Sequence, residues 1–302
     1  MKKQPLVSVI MPVFNGAPYV GEAIESILGQ SYEHLELLIV DNASTDKTKH
    51  VLAAYKKRFP KRIKIYTFAT NEGAFIASNF ALGKAKGRYI AMMDADDVSY
   101  KTRIEKEVAY LETNPGTVVV GSQATIIDGK GRIIGKKTLP TTSAEIYKQF
   151  AVVNPLVHPS VMFNRNLLPN PATLYTTKYG VNDDYYTFFK LMPYGTFANL
   201  PEALLKYRVH GKNSSLNDLK KHFWTITNIR IEAITKLNYQ APLIVFPIML
   251  AQALVVSVLP ESLLKEMFYY LRGIKTVSMK ISFPLPVMMY EKIKSYATLF
   301  LA

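Results

Sequence analysis

Four short, β-branched apolar runs alternate with three stretches of helical spacing between residues 5 and 94. PLVSVIMPVF (5–14), ELLIVDNASTD (36–46), RIKIYTF (62–68) and RYIAMMD (88–94) read as strands. YVGEAIESILGQ (19–30), residues 45–55 and ASNFALGKAKG (77–87) read as helices, the first with Ile24, Ile27 and Leu28 on one face. Such alternation leaves few folds open, because each strand returns to one sheet through a helix that covers it. The expected fold is α/β, with a mostly parallel central sheet and helices on both faces.

In sheets of this kind, ligands bind just outside the carboxyl ends of the strands. Polar punctuation falls at that edge three times: Asn15-Gly16, Asp41-Asn42, and the group Asp94, Asp96 and Asp97. One such turn is ordinary loop chemistry; three on one edge point to a site. The sharpest is YIAMMDADDVS (89–99), a buried-looking strand that runs into three carboxylates within four positions. Like charges this close repel, and a buried carboxylate without a partner is costly. The D-x-D spacing can direct one carboxylate to a divalent ion and its neighbour to a hydroxyl or a bound water. Oxygen ligands favour Mg²⁺ or Mn²⁺ over zinc, with phosphate oxygens completing the shell. The competing reading makes Asp96 or Asp97 the N-cap of the following helix.

Downstream, YKTRIEKEVAYLETNP (100–115) reads as a helix and TVVVGSQATIID (117–128) as a strand that turns at GKG (129–131) into a hairpin. VHPSVMFNRNLL (157–168) is strand-like, and GVNDDYYTFFKLM (180–192) is helical from Tyr185 onward. The character changes near residue 217. HFWTITNIRIEAITKLN (222–238) is helical, residues 237–260 hold no charge over 24 positions, and ESLLKEMFYYLRGIK follows at 261–275. About 20 apolar residues suffice to cross a bilayer. Yet basic residues flank both sides, Arg230 and Lys236 before, Lys265, Arg272 and Lys275 after. That argues against simple crossing and fits an interfacial segment on anionic headgroups. The alternative is a helix buried against the preceding domain or in a dimer.

A net charge of +14 raises nucleic acid as a partner. The basic residues are dispersed, however, with no finger, ribonucleoprotein or helix-turn-helix pattern, so nucleic acid is not expected. The chain has no Cys, which excludes disulfides, thiolate metal sites and a cysteine nucleophile and suits a reducing compartment. The opening MKKQPLVSVIMPVF is not expected to be a signal peptide, since its apolar run is short, broken by Pro12, and alternates like a strand.

Five blocks carry a resemblance. Residues 7–48, NEGAFIASNFALGKAKGRYIAMMDADDVS (71–99), VHPSVMFNR (157–165), GVNDDYYTFFKL (180–191) and LLKYRVHGKNSS (204–215) resemble, in order, those of the family 2 glycosyltransferases. These are inverting enzymes with the GT-A nucleotide-sugar fold. The resemblance implies that Pro12, Phe14 and Asn15 line the nucleotide pocket and that Asp41 accepts a hydrogen bond from the uracil ring, with Ser44 and Asp46 shaping the turn. It implies that Asp94 approaches the ribose and, through water, the metal, that Asp96 binds the metal, and that Asp97 shapes the loop and acceptor side. His210 is implied at the metal or diphosphate. Arg208 is implied at the phosphates, with Lys206 and Lys212 as further cations. Many members have Asp where this chain has Asn42. Asp183-Asp184 matches the family's Glu-Asp pair, which puts Asp184 in the place of the catalytic base; His158 is expected to be acceptor-side or structural. Displacement at an anomeric carbon needs one base for the acceptor hydroxyl, and a diphosphate stabilised by a cation leaves without a proton. The other reading of the acidic pair is a helix N-terminus that favours acids through its dipole.

The resulting expectation is a Mn²⁺- or Mg²⁺-dependent glycosyltransferase that moves a sugar from a nucleotide-sugar, UDP-linked, to a saccharide or polyprenyl-linked acceptor in bacterial surface glycan synthesis. Residues 1–215 would form the catalytic domain, with a nucleotide-binding half (1–99) and an acceptor-side half (100–215). Residues 216–302 would be a helical extension that touches the cytoplasmic face of the cell membrane in peripheral or monotopic fashion, or supports a homo-oligomer. The near alternative is a polyprenyl-phosphate glycosyltransferase. A non-catalytic carbohydrate-binding protein is disfavoured because Asp96 and Asp184 are both present, and a nucleotidyltransferase because MPVFNGAPYV lacks a glycine-rich basic loop.

Overall fold

In the computed structural model, which describes residues 4–211 and 218–264, strand β1 (Val7–Val13) buries side chains on both faces. Val9 and Met11 enter one core and Ile10 the other; in β2 (Leu35–Asp41), Leu37 and Ile39 part from Leu38 and Val40 in the same way. Alternate residues of a strand point to opposite faces, so a strand covered on both sides reads as a continuous apolar run. β3 (Ile63–Thr67) and β4 (Tyr89–Met92) complete a parallel unit of order β3-β2-β1-β4. Helices α1 (Val20–Leu28) and α2 (Thr48–Arg58) cover one face through Ile24, Ile27 and Leu52, and α3 (Ala74–Lys84) covers the other through Ala77, Ala81 and Leu82. Each fully buried Ile or Leu contributes on the order of 1.5–3 kcal/mol.

Helix α3 lies three residues earlier than its apolar spacing suggested. It starts after Gly73, whose φ of 93° is open to glycine at little cost, and Asn71 Oδ1 accepts the Gly73 N–H at 3.0 Å. It stops at Lys84 because the chain then docks on β1. Lys86 and Gly87 N–H groups donate to Ser8 Oγ at 3.1 and 2.8 Å, and a Cβ on Gly87 would sit 2.4 Å from Ser8 N.

Beyond β4 the sheet continues through β5 (Val98–Ser99), helix α4 (Arg103–Thr113), β6 (Thr117–Asp128), β7 (Ile133–Lys137), α5 (Ser143–Gln149), β8 (Met162–Asn164), α6 (Asp183–Leu191) and β9 (Thr196–Val209). Its full order is β3-β2-β1-β4-β8-β6-β9-β5, with β8 antiparallel to both neighbours and β7 folded back on β6 as the expected hairpin. The long strand expected over 157–168 shrinks to β8. Residues 158–160 and 165–167 form 3-10 turns, with Pro159 near the start of the first and the Asn164 side chain capping the second.

Helices α7 (Leu219–Lys236) and α8 (Val245–Val258) follow. The uncharged stretch 237–260 is therefore not one helix. Asn238 has φ 56°, Tyr239 turns into the core against Phe189, and the helix runs only over Val245–Val258. At 1.5 Å per residue α8 spans about 21 Å, short of the ~30 Å hydrocarbon layer. Among the described residues no helix is long and apolar enough to cross a membrane. Ile229 and Ala233 of α7 and Val245 of α8 share the core of α6, so α7 packs on α6 and α8 on α7 as far as the structure describes them. Lys212, residues 265–302 and the 215/216 boundary lie outside the described residues.

Candidate active site

The register brings three strand ends to one edge: Val13 pairs with Asp41, and Ile10 with Met92. The loops after β1 and β2 then tie to each other. Asn15, at φ 51°, donates its N–H to Ser44 Oγ at 2.9 Å, and its Oδ1 accepts the Thr45 N–H at 2.8 Å. Gly16 has no room for a side chain, since a Cβ would lie 2.6 Å from Val13 Cγ2. Asp41 is fully buried; its Oδ1 accepts the Ser44 N–H at 3.0 Å, and its Oδ2 is a buried oxygen without a hydrogen-bond partner. That orphan suits an N–H donor from a ligand. Asn42 both donates to Asn71 Oδ1 at 2.7 Å and accepts the Glu72 N–H at 2.9 Å, a double role that a carboxylate could not fill.

The carboxylates of Asp94, Asp96 and Asp97 offer oxygens within 4.8 Å of one another. They are not equivalent. Asp97 is buried behind the loop and accepts the Arg208 N–H at 2.8 Å, fastening β9 to it, whereas Asp94 and Asp96 line the cleft. Burial, then the charges of Asp96 and Asp184, push Asp94 up to about 7 against the pull of Arg103; burial and its two neighbours raise Asp97 as well. Arg103 and Arg208 offset only part of this crowding of acids, and a hard divalent cation would supply further countercharge. The donor set therefore fits Mg²⁺ or Mn²⁺. His210 stands next to it, with Nε2 2.8 Å from Asp96 Oδ2 and its ring stacked on Tyr19 at 4.9 Å.

Arg208, expected at the phosphates, is placed differently. It is 1% exposed, and its guanidinium donates to the Asp96 carbonyl at 2.7 Å, Glu22 Oε2 at 2.5 Å and the Asp128 carbonyl at 3.3 Å. The planar fork stitches α1, the D-x-D loop and the β6–β7 turn together from behind the cleft wall.

On the opposite side the acidic pair at the start of α6 divides. Asp183 is buried and accepts from Thr176 Oγ1 at 2.6 Å and the Tyr179 N–H at 3.3 Å, which closes the preceding loop. Asp184 lines the cleft and accepts from Asn154 Nδ2 at 3.0 Å. Burial pushes it up to about 6; the Tyr185 N–H and Lys137 hold it down, and Asp183 adds to the rise. His158 is neutral: burial, then Arg103, brings it down to about 4, and its Nε2 lies 2.7 Å from Tyr175 Oη.

Three residues on this side were not legible beforehand. Arg103 is fully buried beneath β4, donating to the Met92 carbonyl at 2.9 Å and Glu107 Oε1 at 2.8 Å, although its i,i+4 spacing to Glu107 reads as a surface pair. Asn154 and Lys137 sit in segments without a motif. A cleft of about 730 Å³ joins both sides, with Pro12, Phe14, Asn15, Asp94, Asp96 and His210 facing Asp184, while Asp41 and Arg208 lie outside its lining. That volume suits a nucleotide-sized ligand.

Residues 8–170 match the model of the family described as Glycosyl transferase family 2. The chain belongs to glycosyltransferase family 2. An uncharacterized glycosyltransferase of Haemophilus influenzae is 35% identical over 243 residues, 78% of this chain and 75% of its own length. Among solved structures, S. aureus TarS 1–349 in complex with UDP-GlcNAc superposes with a TM-score of 0.62 at 18% identity, covering 89% of this glycosyltransferase and 81% of TarS. The mannosyltransferase PcManGT from Pyrobaculum calidifontis, in complex with GDP-Man and Mn²⁺, does so at 0.57 with 19% identity, covering 99% and 86%. These structures share the GT-A fold of the glycosyltransferase, an enzyme whose acidic cluster is of the D-x-D type.

Proposed function

We propose that this glycosyltransferase moves a sugar, with inversion, from a UDP-linked donor to a saccharide or polyprenyl-linked acceptor of a bacterial surface glycan. The carrying observation is one cleft with Asp94 and Asp96 on one wall and a raised carboxylate, Asp184, on the other. Asp96, Asp94 and His210 would hold Mn²⁺ or Mg²⁺; that ion, when bound, stabilises charge on the departing diphosphate. Asp41, through its orphan oxygen, would accept the uracil N–H, and Pro12, Phe14 and Asn15 would wall the nucleotide. Asp184 takes the proton of the acceptor hydroxyl as that oxygen attacks the anomeric carbon. Asn154 keeps the carboxylate turned toward the cleft, and a pKa near 6 leaves it ionised at neutral pH yet basic enough to work. A polyprenyl-phosphate acceptor would use the same groups.

Attachment at the cytoplasmic face of the membrane is part of this proposal. α8 and the residue pair before it expose Leu243, Ile244, Phe246, Leu250, Leu254 and Val258, Leu243 at 84%, with no charged residue over 237–260. An apolar face of that kind supports peripheral contact. Nucleotide release from UDP-, GDP- and dTDP-sugars with a lipid-linked acceptor, with and without Mn²⁺, tests the reaction. Metal-dependent, UDP-selective release is expected; turnover unaffected by chelation, or confined to GDP- or dTDP-sugars, contradicts the proposal.

A further inference from the structure

The base helix is held from behind by α7, which reaches it around the Asp183-Asp184 pair at three places. His222 Nδ1 meets Asn182 Nδ2 at 3.0 Å, Arg230 Nε donates to Tyr185 Oη at 3.2 Å, and Glu232 accepts from Tyr186 Oη at 3.3 Å and from Tyr179 Oη. Arg230 is the unusual member. It is 3% exposed, and its acceptors are neutral: Tyr185 Oη, the Val152 carbonyl, and Gln252 Oε1 of α8 at 3.1 Å. A buried cation held without a carboxylate is costly, and apolar packing could fill the same volume.

Two of its three arms end on the segments that carry the acceptor-side pair. Tyr185 directly follows Asp184. Val152 lies two residues before Asn154, whose amide donates to Asp184 Oδ2 at 3.0 Å. Arg230, Tyr185 and Asn154 all line the cleft. The same guanidinium, beside the bond from Tyr185 Oη to the Phe150 carbonyl, thus braces the gap between α6 and the 150–154 segment, across which the Asn154–Asp184 bond is made.

We propose that Arg230 is a positioning residue for Asp184, anchored to α8 through Gln252, which makes α7 and α8 working parts of the active site. This rests on Asp184 being the base. The action is geometric: the influences that shift Asp184 most are burial, the Tyr185 N–H, Asp183 and Lys137, not Arg230.

The test uses full-length Arg230→Met, Arg230→Lys, Gln252→Met, Tyr185→Phe and Asp184→Asn. UDP affinity with Mn²⁺ is measured by calorimetry, kcat and KM with the UDP-sugar the parent turns over, and the Asn154–Asp184 distance by crystallography. Arg230→Met should keep UDP affinity within about twofold and lose the 3.0 Å bond. Its kcat should fall about 10–100-fold at little cost in KM, the scale of a misplaced group. Arg230→Lys, which reaches fewer acceptors, should recover part of that loss. A folded Arg230→Met with the bond and kcat intact overturns the proposal, and so does a parallel fall in UDP affinity, Tm and kcat. If that variant does not fold, Gln252→Met cuts one arm, and Tyr185→Phe cuts a second together with the Tyr185 Oη bond to the Phe150 carbonyl. Several-fold lower kcat with UDP affinity kept supports the role, and parental kcat in both overturns it. Asp184→Asn separates the two layers: parental turnover there retires the base itself. Low turnover there beside parental turnover in Arg230→Met retires only the positioning role.

Discussion

On the donor side of the cleft the loops after β1, β2 and β3 support one another, with Asn15 bonded to Ser44 and Thr45 and Asn42 bonded to Asn71 and Glu72. On the acceptor side Asp184 leans on Asn154, and α6 leans on a helix that begins 35 residues after Asp184, at Leu219. The first wall is framed by parallel register within the first hundred residues, and Arg208 and His210 join its D-x-D loop from the end of β9. The second is assembled from segments far apart in the chain, with a buried cation at the junction. One wall should therefore tolerate changes in the other, and the two halves of the reaction should be separable by substitution.

The largest expected effect breaks the acceptor wall alone. Asp184→Asn should lower kcat by roughly 10²–10⁴, the usual range for a lost general base, while UDP still binds with Mn²⁺ in calorimetry. The variant should also be at least as stable as the parent at neutral pH. A carboxyl raised from 3.8 to about 6 binds more protons folded than unfolded between those values, so its burial penalty grows as pH rises through that window. Parental turnover would remove Asp184 from the chemistry.

Asp96→Asn is the matching cut in the donor wall. Metal-dependent UDP affinity should fall on the order of 10–100-fold or more, as for lost support of a metal site, with Tm close to the parent because the side chain faces the cleft. Unchanged affinity with Mn²⁺ would sink the ligand role and leave the acceptor wall untouched.

A smaller effect sharpens the comparison through pH. At saturating Mn²⁺ the kcat profile should be flat above an acid limb near pH 6 and decline below it, because the working form of Asp184 is ionised. Lys137→Met removes a charge that holds Asp184 down, so the limb should move to higher pH. A shift to lower pH, or none, contradicts the placement of Lys137 beside the base.

The smallest change in activity should come from the surface. Leu250→Ser with Leu254→Ser alters exposed positions, which usually moves stability by no more than about 0.5 kcal/mol. Turnover on a soluble acceptor should persist while flotation with anionic liposomes is lost. Flotation equal to the parent in 0.5 M salt would move membrane contact away from α8, and a second copy covering that face would instead appear as a concentration-dependent dimer in sedimentation.

Residue pattern alone determined the α/β alternation, the edge at which polar residues gather, and the D-x-D loop. Those features are local. Strand period, turn residues and three acids within four positions carry their meaning in adjacent positions. The base was legible only through the family resemblance, since Asp183 and Asp184 look alike in sequence; the fold separates them by burying one against Thr176 and turning the other to Asn154. Likewise, only tertiary structure decided that Arg208 faces inward to Glu22, that the uncharged stretch breaks at Asn238, and that Arg103 and Arg230 are buried. The physical reason is the same in each case. A long cationic side chain, or an apolar stretch, has several low-energy destinations, and which one it takes depends on partners supplied by segments remote in the chain.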